Sequence, residues 1–440
     1  MQRGVTLIDT IVGVSLMLVV FVGIVGAFQL GIDVVSNNKA RSGAIALANE
    51  RLEYVRSLAY NSIGTSGGIP AGLIPQSESV VLNGVSYTRR TVIQYADDPK
   101  DGTSPADTNG IPEDYKLVKV DLSWNAKAGA RHITLVSRFS PTNGVETNPC
   151  GSPCGTIFIS VVNAESQALS GASITIVNAS ISPPVSINTY TNANGTVSIL
   201  GAPVATGYSI SATKAGYSTA RTYGVTAQNT DPNPANLTVA QNQTTSATFA
   251  VDQLGSKTIN TYAWIGGQTA TSVPSVAFTL QGTKTIGSGP DGPVYKYSAA
   301  FSSDTSGSVT VSDLEWDSYT IQVDGATGYD VASACDPQPE SLAPGASMTT
   351  ALFVVAHTAH SLLIDVRAAA TGALLSGAYA ELTRTGFSSA TTTDPCGQVF
   401  FSGLGSAADY TVVVGASGYA TSTTENVNVL GQSFLSVQLN

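Results

Sequence analysis

Residues 195–217 read GTVSILGAPVATGYSISATKAGY. Thr196–Leu200 and Tyr208–Thr213 alternate apolar and polar side chains, the period of a half-buried strand, and glycines punctuate the runs. The same frame returns twice. Gly195, Tyr208 and Gly216-Tyr217 are spaced by 13 and 8 positions. Gly307, Tyr319 and Gly328-Tyr329 are spaced by 12 and 9, and Gly397, Tyr410 and Gly418-Tyr419 by 13 and 8. Short alternating runs fill these copies too: Val309–Val311, Tyr319–Val323, Val399–Phe401 and Tyr410–Val414. A repeat of about 80–100 residues is too long for a solenoid unit and the right size for a β-sandwich.

Composition supports an exported, β-rich chain. Of 440 residues, 11% are charged and 42% apolar, so Gly, Ser, Thr, Ala and Asn fill the surface. The net charge of −10 disfavours nucleic acid, whose phosphates need clustered Lys and Arg. The charge is unevenly placed. Residues 1–138 carry 13 Lys/Arg and 12 Asp/Glu, whereas 139–440 carry 7 and 18. A boundary near residue 139 follows. Three histidines (His132, His357, His360) are too few for a His-based centre, and His357-Thr-Ala-His360 lacks the Glu of a metallopeptidase helix. No Gly-x-Ser-x-Gly elbow sits on a strand-to-helix turn. No catalytic residue is expected.

The N-terminus carries a different signal. Thr10 to Phe28 holds no charge, and Ser15 is its only polar residue besides Thr10. As a helix, this run spans about 29 Å, nearly a hydrocarbon core. A signal peptide would be shorter, and it would not carry Asp9 at its edge, where a charge is costly and usually functional. The stripe Ala44, Ala48, Leu52, Val55, Ala59 continues the helix, with Glu50, Arg51, Glu53 and Arg56 off it. Asn61 and Gly64 end it. One helix is therefore expected over 5–60.

The string RGVTLIDTIVG resembles the class III leader of type IV prepilins and type II secretion pseudopilins. The resemblance implies cleavage after Gly4 by the prepilin peptidase, methylation of the new N-terminal Val5, and an assembly role for Asp9. Two departures are Val for the usual Phe and Asp for the usual Glu. ALANERLEYVRSLAYNSIG resembles the following helix of minor pilins and minor pseudopilins. A buried acid needs a partner, and the family implies the Val5 amine of a neighbouring subunit.

Past the helix, Val80–Leu82, Asn83-Gly84 and Val85–Tyr95 read as a hairpin with a type I′ turn. Tyr115–Trp124 and His132–Phe139 add two strands, giving a pilin-like α+β head over 61–140. The loop between strands holds Asp97, Asp98, Asp101, Asp107, Asn109 and Asp114, oxygen donors suited to holding calcium as a cofactor. The alternative is a solvated loop of Asx turns.

The three repeat units resemble the carboxypeptidase regulatory-like domain, a transthyretin-like sandwich and a non-catalytic module. Its marks here are an opening strand, Leu169-Ser170-Gly171-Ala172 or Leu375-Ser376-Gly377-Ala378, a T-x-x-x-G-x-V hairpin, and the Tyr strand ending in Gly-Tyr. Units at 156–253 and 360–440 show all four, while 256–356 keeps only the second half well. The family's tyrosines close the sandwich end, with sugar contact as the sharper reading. Residues 1–4 are the leader and 141–155 a linker.

Cys150, Cys154, Cys335 and Cys396 make an even count, which suggests disulfides in an exported chain. Cys150 and Cys154 enclose only Gly-Ser-Pro. A Cys335–Cys396 bond would clamp two sandwiches, and a tetrathiolate zinc site is the alternative. The expected fold is mainly β with one long N-terminal helix: a pilin-like head and three tandem antiparallel sandwiches. The expected function is a minor pilin or pseudopilin-like subunit, first in the inner membrane and then in a surface filament. Other pilins, the prepilin peptidase, the membrane and a surface ligand would be its partners. A non-polymerising, membrane-anchored binding protein is the alternative.

Overall fold

The computed structural model describes residues 7–98, 100, 113–127, 129–141, 154–263, 271–323, 325–335 and 338–440. It is mostly strand, with one long helix, α1 (Leu7–Ser57). At 1.5 Å per residue α1 runs about 77 Å. Its second half buries Ala40, Ala44, Leu47, Ala48, Leu52 and Val55. They lie against Tyr87, Ile93, Val118, Val120, Leu122 and Trp124 of an antiparallel sheet, order β1 (Ser77–Leu82), β2 (Val85–Ala96), β3 (Tyr115–Ala126), β4 (Gly129–Phe139). Alanines let helix and sheet approach closely. A Cβ on Gly43 would meet the Tyr87 hydroxyl at 2.8 Å. That hydroxyl donates to the Ala40 carbonyl at 2.8 Å. Asn83 and Gly84 take φ of 53° and 81°, the pair a type I′ turn demands.

Two residues differ from the sequence expectation. Arg51, read as off the buried stripe, is buried and paired with Glu78, which also accepts from Arg89 at 2.9 Å. The alkyl stem packs while the guanidinium keeps its carboxylate. Ala59, read as on the stripe, is exposed, because α1 ends at Ser57 and a 3₁₀ turn (Tyr60–Ser62) redirects the chain.

Three sandwiches follow, with one topology. In each, the first strand (Cys154–Val162, Gly255–Ala263, Ser361–Ala368) lies between two partners. One is the last strand (Thr244–Ala250, Ser347–Ala356, Gln432–Leu439), paired parallel. The other is the strand after the repeated glycine (Thr196–Pro203, Ser308–Leu314, Gln398–Phe401), paired antiparallel. The facing sheet centres on Ser173–Asn178, Ala277–Gly282 or Tyr379–Arg384 beside the Tyr strand. The middle unit therefore shares the fold of its neighbours. The pair of first and last strands is the parallel exception within otherwise antiparallel sheets. The opening strand begins at Cys154, inside the stretch expected to be linker.

Each sandwich encloses its own apolar core, and Ile69 and Tyr95 of the head join that of the first. The junctions are stapled. Gln76 donates from its side chain to the Ser186 carbonyl at 2.5 Å, and Arg90 lies 4.5 Å from the Tyr190 ring centroid, tying head to first sandwich. Asp231–Pro232 of the first sandwich pairs with Thr285–Gly289 of the second.

Candidate functional site

The first half of α1 is the most unusual surface of the molecule. From Leu7 to Val35 its large apolar side chains are exposed: Leu7 is 79% and Phe28 73% accessible. The helix is long and apolar enough to cross a membrane. Ser15, the one hydroxyl in the middle of this run, donates to the Ile11 carbonyl one turn back, so its donor is satisfied within the helix. Charge returns at Asp33, which Lys127 at the β3–β4 end reaches at 3.0 Å. Apolar helix and folded head thus meet at this level. Asp9 lies in the first turns of α1, while Gly4 and Val5 fall outside the described residues.

The repeat marks are structural devices. Gly195, Gly307 and Gly397 have φ of 71°, 79° and 67°. A Cβ there would meet neighbouring atoms at 2.6, 3.0 and 2.7 Å, so only glycine fits without a shift. Three residues earlier an Asx side chain (Asn192, Asp304, Asp394) accepts from the backbone N–H of the residue on either side of that glycine. One residue before that, a buried hydroxyl (Thr191, Ser303, Thr393) accepts from the N–H of Ala172, Val276 or Ala378. It also donates to the Leu169, Val273 or Leu375 carbonyl. Val273-Pro274-Ser275-Val276 is therefore the middle unit's version of Leu-Ser-Gly-Ala. The sequence hid it because Ser275 stands where the others carry Gly171 and Gly377, yet φ is 59°, 70° and 72° at the three positions.

Tyr208, Tyr319 and Tyr410 are buried. Their hydroxyls donate to the carbonyls of Pro203, Glu315 and Gly405, four or five residues upstream, at 2.7, 2.8 and 3.0 Å. They lock a strand to its own entry loop and offer no ring face to a sugar. Burial pushes the Tyr208 phenol up to about 12.

Cys335 and Cys396 form a disulfide with Cα atoms 4.6 Å apart, joining the second and third sandwiches. Beside it, Gln398 accepts from the Ala334 N–H at 2.7 Å. Asp330, buried, takes His357 at 2.7 Å, the Thr358 N–H at 3.0 Å and the side chain of Gln432. His357 thus belongs to a domain junction. Cys154 is disulfide-bonded, and Cys150 lies outside the described residues.

In the acidic loop, Asp98 donates its N–H to Asp114. Asp101, Asp107 and Asn109 lie outside the described residues. Among the described residues no group of three His, Cys, Asp or Glu is placed to hold a metal ion.

The sequence missed Lys116. Its ammonium is buried and donates to the Tyr60 and Ile63 carbonyls, both at 2.8 Å, just past the end of α1. Tyr60 and Tyr95 rings lie 4.6 and 5.4 Å away. Burial lowers its pKa to about 8. A lone Lys in an alternating strand carries no signal of this in one dimension.

No protein-family model matches the chain. No curated protein matches it in sequence. Among solved structures, the Bacillus anthracis TIE protein is similar at 15% identity, covering 83% of this chain and 73% of that one, TM-score 0.20. Shaft pilin SpaA from Lactobacillus rhamnosus GG is 13% identical over 43% of this chain and 98% of its own, TM-score 0.18. BcpA, the major pilin subunit of Bacillus cereus, is 12% identical over 65% and 99%, TM-score 0.18. Several of these neighbours are bacterial pilin subunits. At such scores no functional reading rests on them.

Proposed function

We infer that the chain is a membrane-inserted structural subunit of a type IV pilus or type II secretion-like filament, of the minor pilin or pseudopilin kind. One observation carries this reading. A single helix presents an apolar first half outward, while its second half is the core of a head built on a four-stranded antiparallel sheet. An anchor needs only the first half. A filament subunit needs both, because the exposed half packs on copies of itself once it leaves the lipid. The three sandwiches resemble carboxypeptidase regulatory-like modules and would stand outside the shaft. About 300 extra residues per subunit crowd a shaft, which favours a tip or sparse position.

Inner-membrane insertion, cleavage after Gly4 by the prepilin peptidase and methylation of Val5 belong to this reading. Mass spectrometry of the mature protein is the test: methylated Val5 is expected, and Met1 or a start near Phe28 overturns it. Asp9→Ala should leave the protein in the membrane but out of filaments, since an apolar residue lowers the insertion cost and removes the partner of the Val5 amine. A second reading, a non-polymerising anchored binding protein, rests on the same exposed helix. Gly4→Leu separates the two, because only the pilin depends on the cut.

A further inference from the structure

The stalk holds seven Lys/Arg among residues 139–440, against 18 acids. Three of the seven, Arg221, Lys284 and Lys296, line one cleft where the first and second sandwiches meet. Its volume is about 300 Å³, room for one or two sugar rings. Within it a single carboxylate, Glu315, serves both Lys284, at 2.7 Å, and Lys296. Arg221 is exposed and has no ion-pair partner among the described residues. It lies 5.1 Å from the Tyr223 ring centroid. Lys284 stands 3.2 Å above Trp316, one of three tryptophans in the chain. Burial lowers the Lys284 pKa despite Glu315, so the cation is under-compensated.

The cleft is pre-formed. The Asp231–Pro232 pairing with Thr285–Gly289 crosses the junction, and the Asn229 side chain donates to the Ile286 carbonyl at 2.9 Å. Neither wall can swing without breaking a ladder. An adjoining cleft carries Asp313 and Asp317, so charge runs from acidic to basic along the junction. Asp317 is already occupied by the Thr283 hydroxyl at 2.7 Å and the Lys284 N–H at 3.0 Å. The Arg221 end therefore carries a cation without an ion-pair partner among the described residues, while exposed Asp313 marks the acidic end.

We propose that this junction cleft binds an acidic saccharide, its carboxylate or sulfate on Arg221 and the two lysines and its ring face against Tyr223 and Trp316. A planar guanidinium already held over an aromatic ring is suited to bidentate anion recognition. Tyrosine and tryptophan beside it offer apolar faces with polar edges, which suits the two-sided chemistry of a sugar better than that of an acidic peptide. Domain junctions are also where ligand pockets concentrate. The site stands whether or not the chain polymerises.

The test uses the full chain in detergent, titrated with uronate, sialate and sulfated oligosaccharides, with neutral maltotriose and with hexa-aspartate. Saturable binding of at least one acidic oligosaccharide is expected, with maltotriose at least tenfold weaker. Arg221→Gln should weaken binding tenfold or more without changing thermal unfolding, and Trp316→Ala should weaken it while leaving its salt dependence in place. Three results overturn the proposal: no acidic oligosaccharide binds, Arg221→Gln binds as well as the parent, or hexa-aspartate binds as tightly as the best saccharide.

Discussion

Ser275 shows how one residue can hide a repeat. Its N–H donates to the Ser303 carbonyl at 3.1 Å, as Gly171 and Gly377 donate to Thr191 and Thr393 at 3.1 and 3.0 Å. Its backbone is left-handed, where a side chain costs about 1–2 kcal/mol. Its side chain is exposed and makes no hydrogen bond among those described. Ser275→Gly should therefore stabilise the middle sandwich by about 1 kcal/mol, read as slower amide exchange across Ala277–Gly282. Gly377→Ser should cost the third sandwich a similar amount. Lys116 is the other decisive residue. Its folded pKa of about 8 lies below the ordinary 10.5, so between these values the unfolded chain binds more protons than the folded one. Head stability must therefore rise with pH across that window, by about 3 kcal/mol at most. The Lys116 side-chain carbon resonance should titrate near pH 8, and a midpoint above 10 would contradict the burial argument.

Between elements, register makes the three sandwiches comparable position by position. Lys257 pairs with Val311 as Ile157 does with Ile199 and Leu362 with Phe401. Glu340 pairs with Tyr319 as Leu237 does with Tyr208 and Val427 with Tyr410. The middle sandwich has thus replaced an apolar pair by a buried Lys257–Glu340 ion pair, with Thr350 donating to Glu340. A buried pair rarely beats apolar packing, but losing one partner costs about 3–5 kcal/mol. Lys257→Met should destabilise the middle sandwich by that much, whereas Lys257→Leu/Glu340→Val/Thr350→Val should recover parental stability or exceed it. Chemical unfolding followed by exchange in the Gly255–Ala263 strand separates these outcomes. The pattern also explains what was legible in the sequence. Periodicity, Asn83-Gly84 and the spaced glycines are local signals, and they marked α1, the head hairpin and the repeat. Lys116, Arg51 and Lys257 read as ordinary polar positions, because their partners lie 27 to 83 residues away. The junction cleft was invisible for the same reason: its walls come from two sandwiches.

At the scale of the whole molecule, the question is what keeps the second and third sandwiches together. Two kinds of staple act at one junction. The Cys335–Cys396 bond spans 61 positions, for which chain entropy suggests roughly 4 kcal/mol. Asp330 with His357, Thr358 and Gln432, and Gln398 with Ala334, add hydrogen bonds worth about 1 kcal/mol each, somewhat more where the carboxylate is charged. The hydrogen bonds form only while the two bodies are in register. The covalent bond holds them near it when they part, so it shortens each excursion and raises the effective concentration of the other partners. Cys335→Ser/Cys396→Ser should therefore leave both sandwiches folded while loosening the segment 357–360 between them. Limited proteolysis there should accelerate about tenfold or more, and reduction of the parent protein should reproduce the effect. Unchanged cleavage would mean that the Asp330 cluster holds the junction alone. In that case Asp330→Asn, rather than loss of the cysteines, would be the change that frees the third sandwich.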